Sequence, residues 1–144
     1  MLFLCHLFID VTYLLLYRTA IYCQYRSAMY RTKNKRRVDE MNQHIKKVYV
    51  PMTETAFFIL LCLRKPNHGY GIVQMVEKLT EGAIKLTPGT LYGSLSKMEK
   101  DNIIHFVREE DKRKIYQITD LGLEVLQLEL KRIERLYKIA QEEM

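Results

Sequence analysis

Cysteine is scarce in this chain, and what there is does not pair by spacing. Cys5, Cys23 and Cys62 are the only three, and no Cys-x-x-Cys occurs. That excludes a zinc ribbon, a redox dithiol and a disulfide framework, and it fits a reduced, cytoplasmic setting. Phosphate-loop patterns are also missing: HGYG at 68–71 has neither the GxxxxGK[ST] nor the GxGxxG spacing. No carboxylate pair sits in an apolar stretch. His44, His68, His105 and Cys62 fall on different segments at intervals unlike those of metal ligands. The expectation is a protein with no enzyme activity, no metal site and no cofactor. At 144 residues the chain is long enough for one domain with a sizeable core, plus an appended segment.

Charge divides the chain unevenly. Residues 1–46 hold eight basic and three acidic side chains, whereas residues 47–144 hold fifteen and fourteen. Residues 2–16 are nearly continuous apolar residues broken by His6 and Asp10, followed by a basic run ending in KNKRR at 33–37. The apolar run is shorter than the ~20 residues a span needs. Asp10 near its middle would cost about 2.5–3.5 kcal/mol there. A secretory signal fits worse, since there is no basic leading region and no small-residue cleavage site. Three readings of residues 1–40 remain: a mis-assigned start or disordered extension, a membrane-associated helix, or an integral part of the fold. The pattern favours the first, with a working chain from Met41 and the membrane as the weaker alternative.

From Met41 the punctuation is regular. Thr53 and Glu54 suit a helix start, and Phe57, Phe58, Leu60, Leu61 and Leu63 leave that helix almost no polar face. Pro66-Asn67-His68-Gly69 ends it. A second helix over Tyr70–Leu79 sets Ile72, Val73, Val76 and Leu79 at spacings near 3.6. Glu81-Gly82 stops it, and Ala83–Leu86 reads as a short extended piece. Thr87 as N-cap and Pro88 at the first helical position start a third helix, which runs to about Lys100 with Leu91, Leu95 and Met98 inward. Residues 103–108 and 114–118 have strand character, joined by the polar loop EEDKR. Thr119-Asp120 then opens a last helix.

That order is three helices and a two-stranded wing: a mainly α fold with a small β-wing, the winged variant of helix-turn-helix. The division is 41–118 for a winged-helix domain and 119–144 for a terminal helix. Along the latter, Leu123, Leu126, Leu130, Ile133, Tyr137 and Ala140 recur at steps of three and four, a heptad stripe. Leu121, Val125 and Leu128 form a second stripe on the first half only. One side should pack on its own domain and the other on a partner helix, giving a homodimer.

A helix entering a major groove needs small or hydroxylic residues near its start, so that backbone and side chains approach phosphates and base edges. Thr87, Gly89, Thr90, Tyr92, Gly93 and Ser94 supply them, and Lys97 one turn further can reach a phosphate. Alternatively TPGT is only a well-capped helix and Gly93 a packing accommodation. The wing offers Arg108, Lys112, Arg113 and Lys114 to flanking phosphates or a minor groove. Glu109, Glu110 and Asp111 oppose that. The expected partner is double-stranded DNA. The near-neutral domain and acidic wing tip leave a protein-interaction module, or a membrane-associated regulator without direct sequence-specific binding, as alternatives.

HGYGI at 68–72, TPGTLYGSLSKMEKDNII at 87–104 and KRKIYQITDLGLEVL at 112–126, in that order, resemble the PadR family of transcriptional regulators across roughly residues 50–144. The resemblance implies a homodimer on a near-palindromic operator. Most members repress, and a small molecule or stress signal relieves that repression. It sets Thr90, Tyr92 and Ser94 on the recognition helix, Tyr92 facing the DNA backbone. It places His68, Gly69 and Tyr70 at the opening of the second helix, Gly69 permitting the sharp entry and Tyr70 near the DNA. The wing lacks the glycines often seen in the family. The absence of tryptophan removes the flat aromatic drug platform of some members.

Overall fold

The structure is a computed structural model. It describes the backbone of residues 3–144 and the side chains of residue 24 and residues 26–144. The chain divides into two compact units, Met1–Gln43 and His44–Met144. Helix α1 is assigned over Phe3–Tyr49. In the first unit the described side chains are exposed except that of Asn42. Cys5, Cys23 and the apolar run 2–16, on which the membrane alternative rests, have side chains outside the described residues. Among the described residues no helix is long and apolar enough to cross a membrane.

The second unit holds the end of α1, then α2 (Glu54–Cys62), β1 (Asn67–His68), α3 (Gly69–Leu79), α4 (Pro88–Lys100), β2 (Ile104–Glu110), β3 (Arg113–Ile118) and α5 (Asp120–Glu142). Each helix start follows from its capping side chain. Thr53, Thr87 and Thr119 accept from the amides of Ala56, Thr90 and Gly122 respectively, each satisfying one of the free N–H groups of a first turn. Thr119 also donates its hydroxyl toward the carbonyls of Asn102 and Ile103, at 2.8 and 2.9 Å. One threonine thereby fixes α5 against the entry to the wing.

The core is where the helix faces meet: Ile59 and Leu60 from α2 with Leu63 at its C-cap, Ile72 and Val76 from α3, Leu91, Leu95 and Met98 from α4, with Ile103, Ile104, Val125 and Leu126. Fully burying a side chain of this kind stabilises by about 1.5–3 kcal/mol. The inward face of α4 is the one its periodicity predicts. Leu79 is the exception on α3: it is exposed, because the core ends at Val76.

The sheet differs from the expectation. Ala83–Leu86 forms no strand. The third strand is β1, which pairs with β3 through Asn67↔Tyr116 and His68↔Ile115, giving the order β1-β3-β2. The hairpin is also tighter than a five-residue loop. β2 reaches Glu110 and β3 starts at Arg113, so the turn is Asp111-Lys112, both left-handed at φ 49° and 61°. Two such residues make the connection whose twist matches the strands. An irregularity between Phe106 and Arg108 shifts the register by one residue.

Helix α5 corrects the dimerisation stripe. Its buried arc is Leu121, Gly122, Val125, Leu126 and Glu129. Leu126 is 1% exposed and belongs to the core of its own domain, so it is not available to a partner. Leu128, expected on the packed side, is exposed. The domain stops covering α5 at Glu129. Beyond it Ile133, Leu136, Tyr137 and Ile139 stand exposed, as do Leu123 and Leu130 nearer the start and Ala140 near the end.

Candidate nucleic-acid interface

The start of α4 is an open, hydroxyl-bearing surface. Thr87 and Thr90 share a hydrogen bond between their hydroxyls at 2.9 Å, and both are exposed. A Cβ added at Gly89 or Gly93 would meet nothing within 4 Å. Neither glycine accommodates packing inside the domain, which removes the packing explanation for Gly93. Gly89, Gly93, Ser96 and Lys100 recur at steps of four, three and four, so they line one face opposite Leu91, Leu95 and Met98. Ser96 and Lys100 fall outside the run of hydroxyls and glycines at the helix start, and the 3.6-residue period is the signal that finds them. Thr90 and Lys97 flank this face on one side, Tyr92 on the other.

Ser94 is half-buried and lies with Thr53, Tyr49 and Met98 around a small cleft on the α2 side. It is off the open face. Lys97 is exposed, and its ammonium lies 5.6 Å from the centre of the Tyr49 ring. The Tyr49 hydroxyl donates to Asp101 Oδ2 at 2.8 Å, at the C-terminal end of α4. Burial, and then the Asp101 carboxylate, push the Tyr49 phenol well above its usual range. Helix α4 is thus held at its far end by the last turn of α1.

On its other side α4 faces a groove of about 490 Å³, closed by the start of α3 and by the wing. Tyr92 is 60% exposed and leans toward Gly69. Gly69 has no left-handed backbone, so no sharp entry calls for glycine there; an added Cβ would press on the Tyr92 ring, 3.0–3.3 Å away. His68 caps α3 by accepting the Gly71 amide at Nδ1, 2.9 Å away. Its ring stacks on that of Tyr70, centroids 6.5 Å apart. The Arg113 guanidinium lies 6.0 Å from the Tyr70 ring centre. The exposed Tyr70, the wing cations Lys112, Arg113 and Lys114, and Tyr92 therefore converge on one groove. Within it Tyr116 has its phenol raised by burial first, then by the Glu99 charge.

The wing's acidic residues sit in cross-strand register with its basic ones. Glu109 lies opposite Lys114 and Glu110 opposite Arg113. Arg108 also bridges to Glu110 at 3.2 Å, an exposed pair worth at most about 1 kcal/mol. The tip itself is Asp111-Lys112, one charge of each sign. Arg108 lies outside the groove residues that gather the other three cations.

Among the described residues no three His, Cys, Asp or Glu side chains form a metal-sized cluster. Burial raises the Cys62 thiol to about 11, which disfavours thiolate chemistry.

Residues 59–128 match the family described as the transcriptional regulator PadR-like family. Among curated proteins, the chain is 28% identical over 71 residues to the transcriptional regulator YqjI of Escherichia coli K12, covering 49% of this chain and 34% of that protein. It is 32% identical over 71 residues to an uncharacterized protein of Lysinibacillus sphaericus, covering 46% and 65%. The chain spans between 24% and 65% of the length of the curated relatives it matches. Among solved structures, a PadR family transcription regulator from Clostridium difficile R20291 superposes with a TM-score of 0.52 at 23% identity, covering 62% of this chain and 97% of that one. A transcriptional regulator from Clostridium thermocellum gives 0.53 at 21%, covering 62% and 90%. At these identities the structural likeness establishes the fold.

Proposed function

Its winged-helix domain belongs to the PadR-like family of transcriptional regulators, and on that premise we propose that this chain is a homodimeric repressor that binds a near-palindromic operator and is released by a small-molecule effector. The observation that carries the reading is the open face of α4, where two glycines leave the helix surface bare beside the wing cations. A bare surface admits close approach of a phosphate backbone, and the positive end of the helix attracts it. Thr87 and Thr90 would serve phosphates or base edges there. Tyr70, Tyr92, Lys112, Arg113 and Lys114 would track the flanking backbone, with Lys97 on the opposite flank. Ser94 and Arg108 have the weaker placements.

The exposed apolar residues of α5 support self-association. Leu123 and Leu130 flank the part of the helix that packs on its own domain, and Ile133, Tyr137 and Ala140 lie beyond it. An uncovered helix face of this kind calls for a second helix. Twofold pairing through it would set two α4 helices in successive major grooves, about 34–36 Å apart.

Hydroxyl-radical footprinting of the full chain on the DNA upstream of its own coding sequence tests this. Two protected patches one helical turn apart are expected. A single patch, or uniform protection, would contradict the dimeric geometry. The near-neutral charge of residues 47–144 and the paired charges of the wing favour a second reading, a winged helix that binds protein. Absence of any footprint, from a folded dimer, would support it.

A further inference from the structure

From Leu128 onward α5 has two sides of different chemistry. Ile133, Tyr137 and Ala140 lie toward one; Leu128, Lys131 and Arg135, at steps of three and four, lie on another. These last three face Lys46, Lys47 and Val50 at the end of α1 across a cleft of about 510 Å³. Lys46 is engaged by Glu124 at 2.7 Å. Arg132, also at the cleft, is held by Glu129 through two hydrogen bonds. Among the described residues Lys47, Lys131 and Arg135 meet no carboxylate within ion-pair distance. Three cations therefore surround a floor made by Val50 and Leu128. Their mutual repulsion is relieved by an anion, and the floor is covered by an apolar body. The volume falls within the usual range for small-molecule sites.

We propose that this cleft binds an anionic amphiphile, a carboxylate or phosphate monoester carried on an aliphatic or aromatic body, and that its occupation weakens DNA binding. The second half rests on the reading of α4 as the recognition helix. The route is short. Lys46, Lys47 and Val50 line the cleft, and Tyr49 between them reaches Asp101 and Lys97 of α4. A ligand that draws in the end of α1 displaces the partner that holds α4.

Calorimetry of the full chain with octanoate, octyl phosphate, octanol and inorganic phosphate tests the site without DNA. Either amphiphile should bind at least tenfold more tightly than octanol and inorganic phosphate, and which one wins identifies the headgroup. The double variant K131Q/R135Q, at exposed positions, should lose at least tenfold. Leu128→Glu, which sets a carboxylate in the floor, should abolish binding. Equal binding of octanol, equal binding of inorganic phosphate, or no binding of either amphiphile would overturn the proposal. Sedimentation with phosphatidylglycerol vesicles should be the same for wild type and K131Q/R135Q. A difference would assign these cations to a lipid surface and overturn the free-ligand site.

Saturating amphiphile should then lower operator affinity at least fivefold. Tyr49→Phe should bind amphiphile normally but show less than half of that effect. Amphiphile bound with operator affinity unchanged would overturn the coupling. A protein that never binds DNA would fail the functional reading, with the calorimetric result still standing.

Discussion

Gly69 faces the Tyr92 ring at close range: a Cβ on Gly69 would lie 3.0 Å from the Tyr92 hydroxyl and 3.2 Å from its Cε1. The first residue of α3 therefore decides where an exposed tyrosine of α4 can stand. Gly69→Ala should push the ring outward and lower DNA affinity by about fivefold, roughly 1 kcal/mol. Combined with Tyr92→Ala the two effects should not add. A double-mutant cycle in DNA binding should give a coupling of at least about 0.5 kcal/mol; additive losses would mean that the two residues act separately.

Gly89 and Gly93 behave in the opposite sense. Because nothing lies within 4 Å of an added Cβ, alanine at Gly93 should raise fold stability by about 0.5–1 kcal/mol through helix propensity. Gly93→Leu should leave the fold intact and lower DNA affinity by tenfold or more. Chemical denaturation and anisotropy on the same preparations separate these effects.

Leu126 and Ile133 lie seven residues apart on α5, yet they should fail differently. Leu126→Ala should cost about 2–5 kcal/mol of fold stability by leaving a cavity. Ile133→Asp should leave the protomer folded and shift it toward monomer in sedimentation velocity. Ile133→Asp that stays dimeric would place self-association elsewhere.

Glu129 gives the chain an acid limit. It is 1% exposed, and its hydrogen bonds from Arg132, helped by the Met52 amide, hold its carboxyl below the usual glutamate range against the opposing effect of burial. A carboxyl depressed in the native state contributes stability above its unfolded value, near ~4.3. That contribution is lost as pH falls through the lower native value. Arg132→Ala should strand a buried carboxylate, destabilise by up to about 3 kcal/mol at neutral pH, and move the acid unfolding midpoint upward. An unchanged acid midpoint would show that the pair does not set it.

The features legible in the sequence were those set by local chemistry. Thr53, Thr87 and Thr119 cap the helices they precede, and the inward face of α4 follows from its period alone. What was not legible depends on tertiary contact. Asn67–His68 is too short to show a strand pattern and becomes one only against β3. The three-four stripe on α5 cannot say where its own domain stops, so it takes in the buried Leu126 and leaves out the exposed Leu136. A buried Glu129 has no apolar signature. On α4 the hydroxyls and glycines mark the open face and the helical period adds Ser96 and Lys100 to it, while the cleft with Tyr49 and Thr53 takes Ser94 off it.

The most direct test of the central claim is fluorescence anisotropy of the full chain titrated onto the DNA upstream of its own coding sequence, with a scrambled duplex alongside, at two salt concentrations. A sequence-specific regulator predicts tighter binding to the upstream DNA and affinity that falls steeply as salt rises, since phosphate contacts release counterions. Equal affinity for both duplexes, or affinity indifferent to salt, would contradict it.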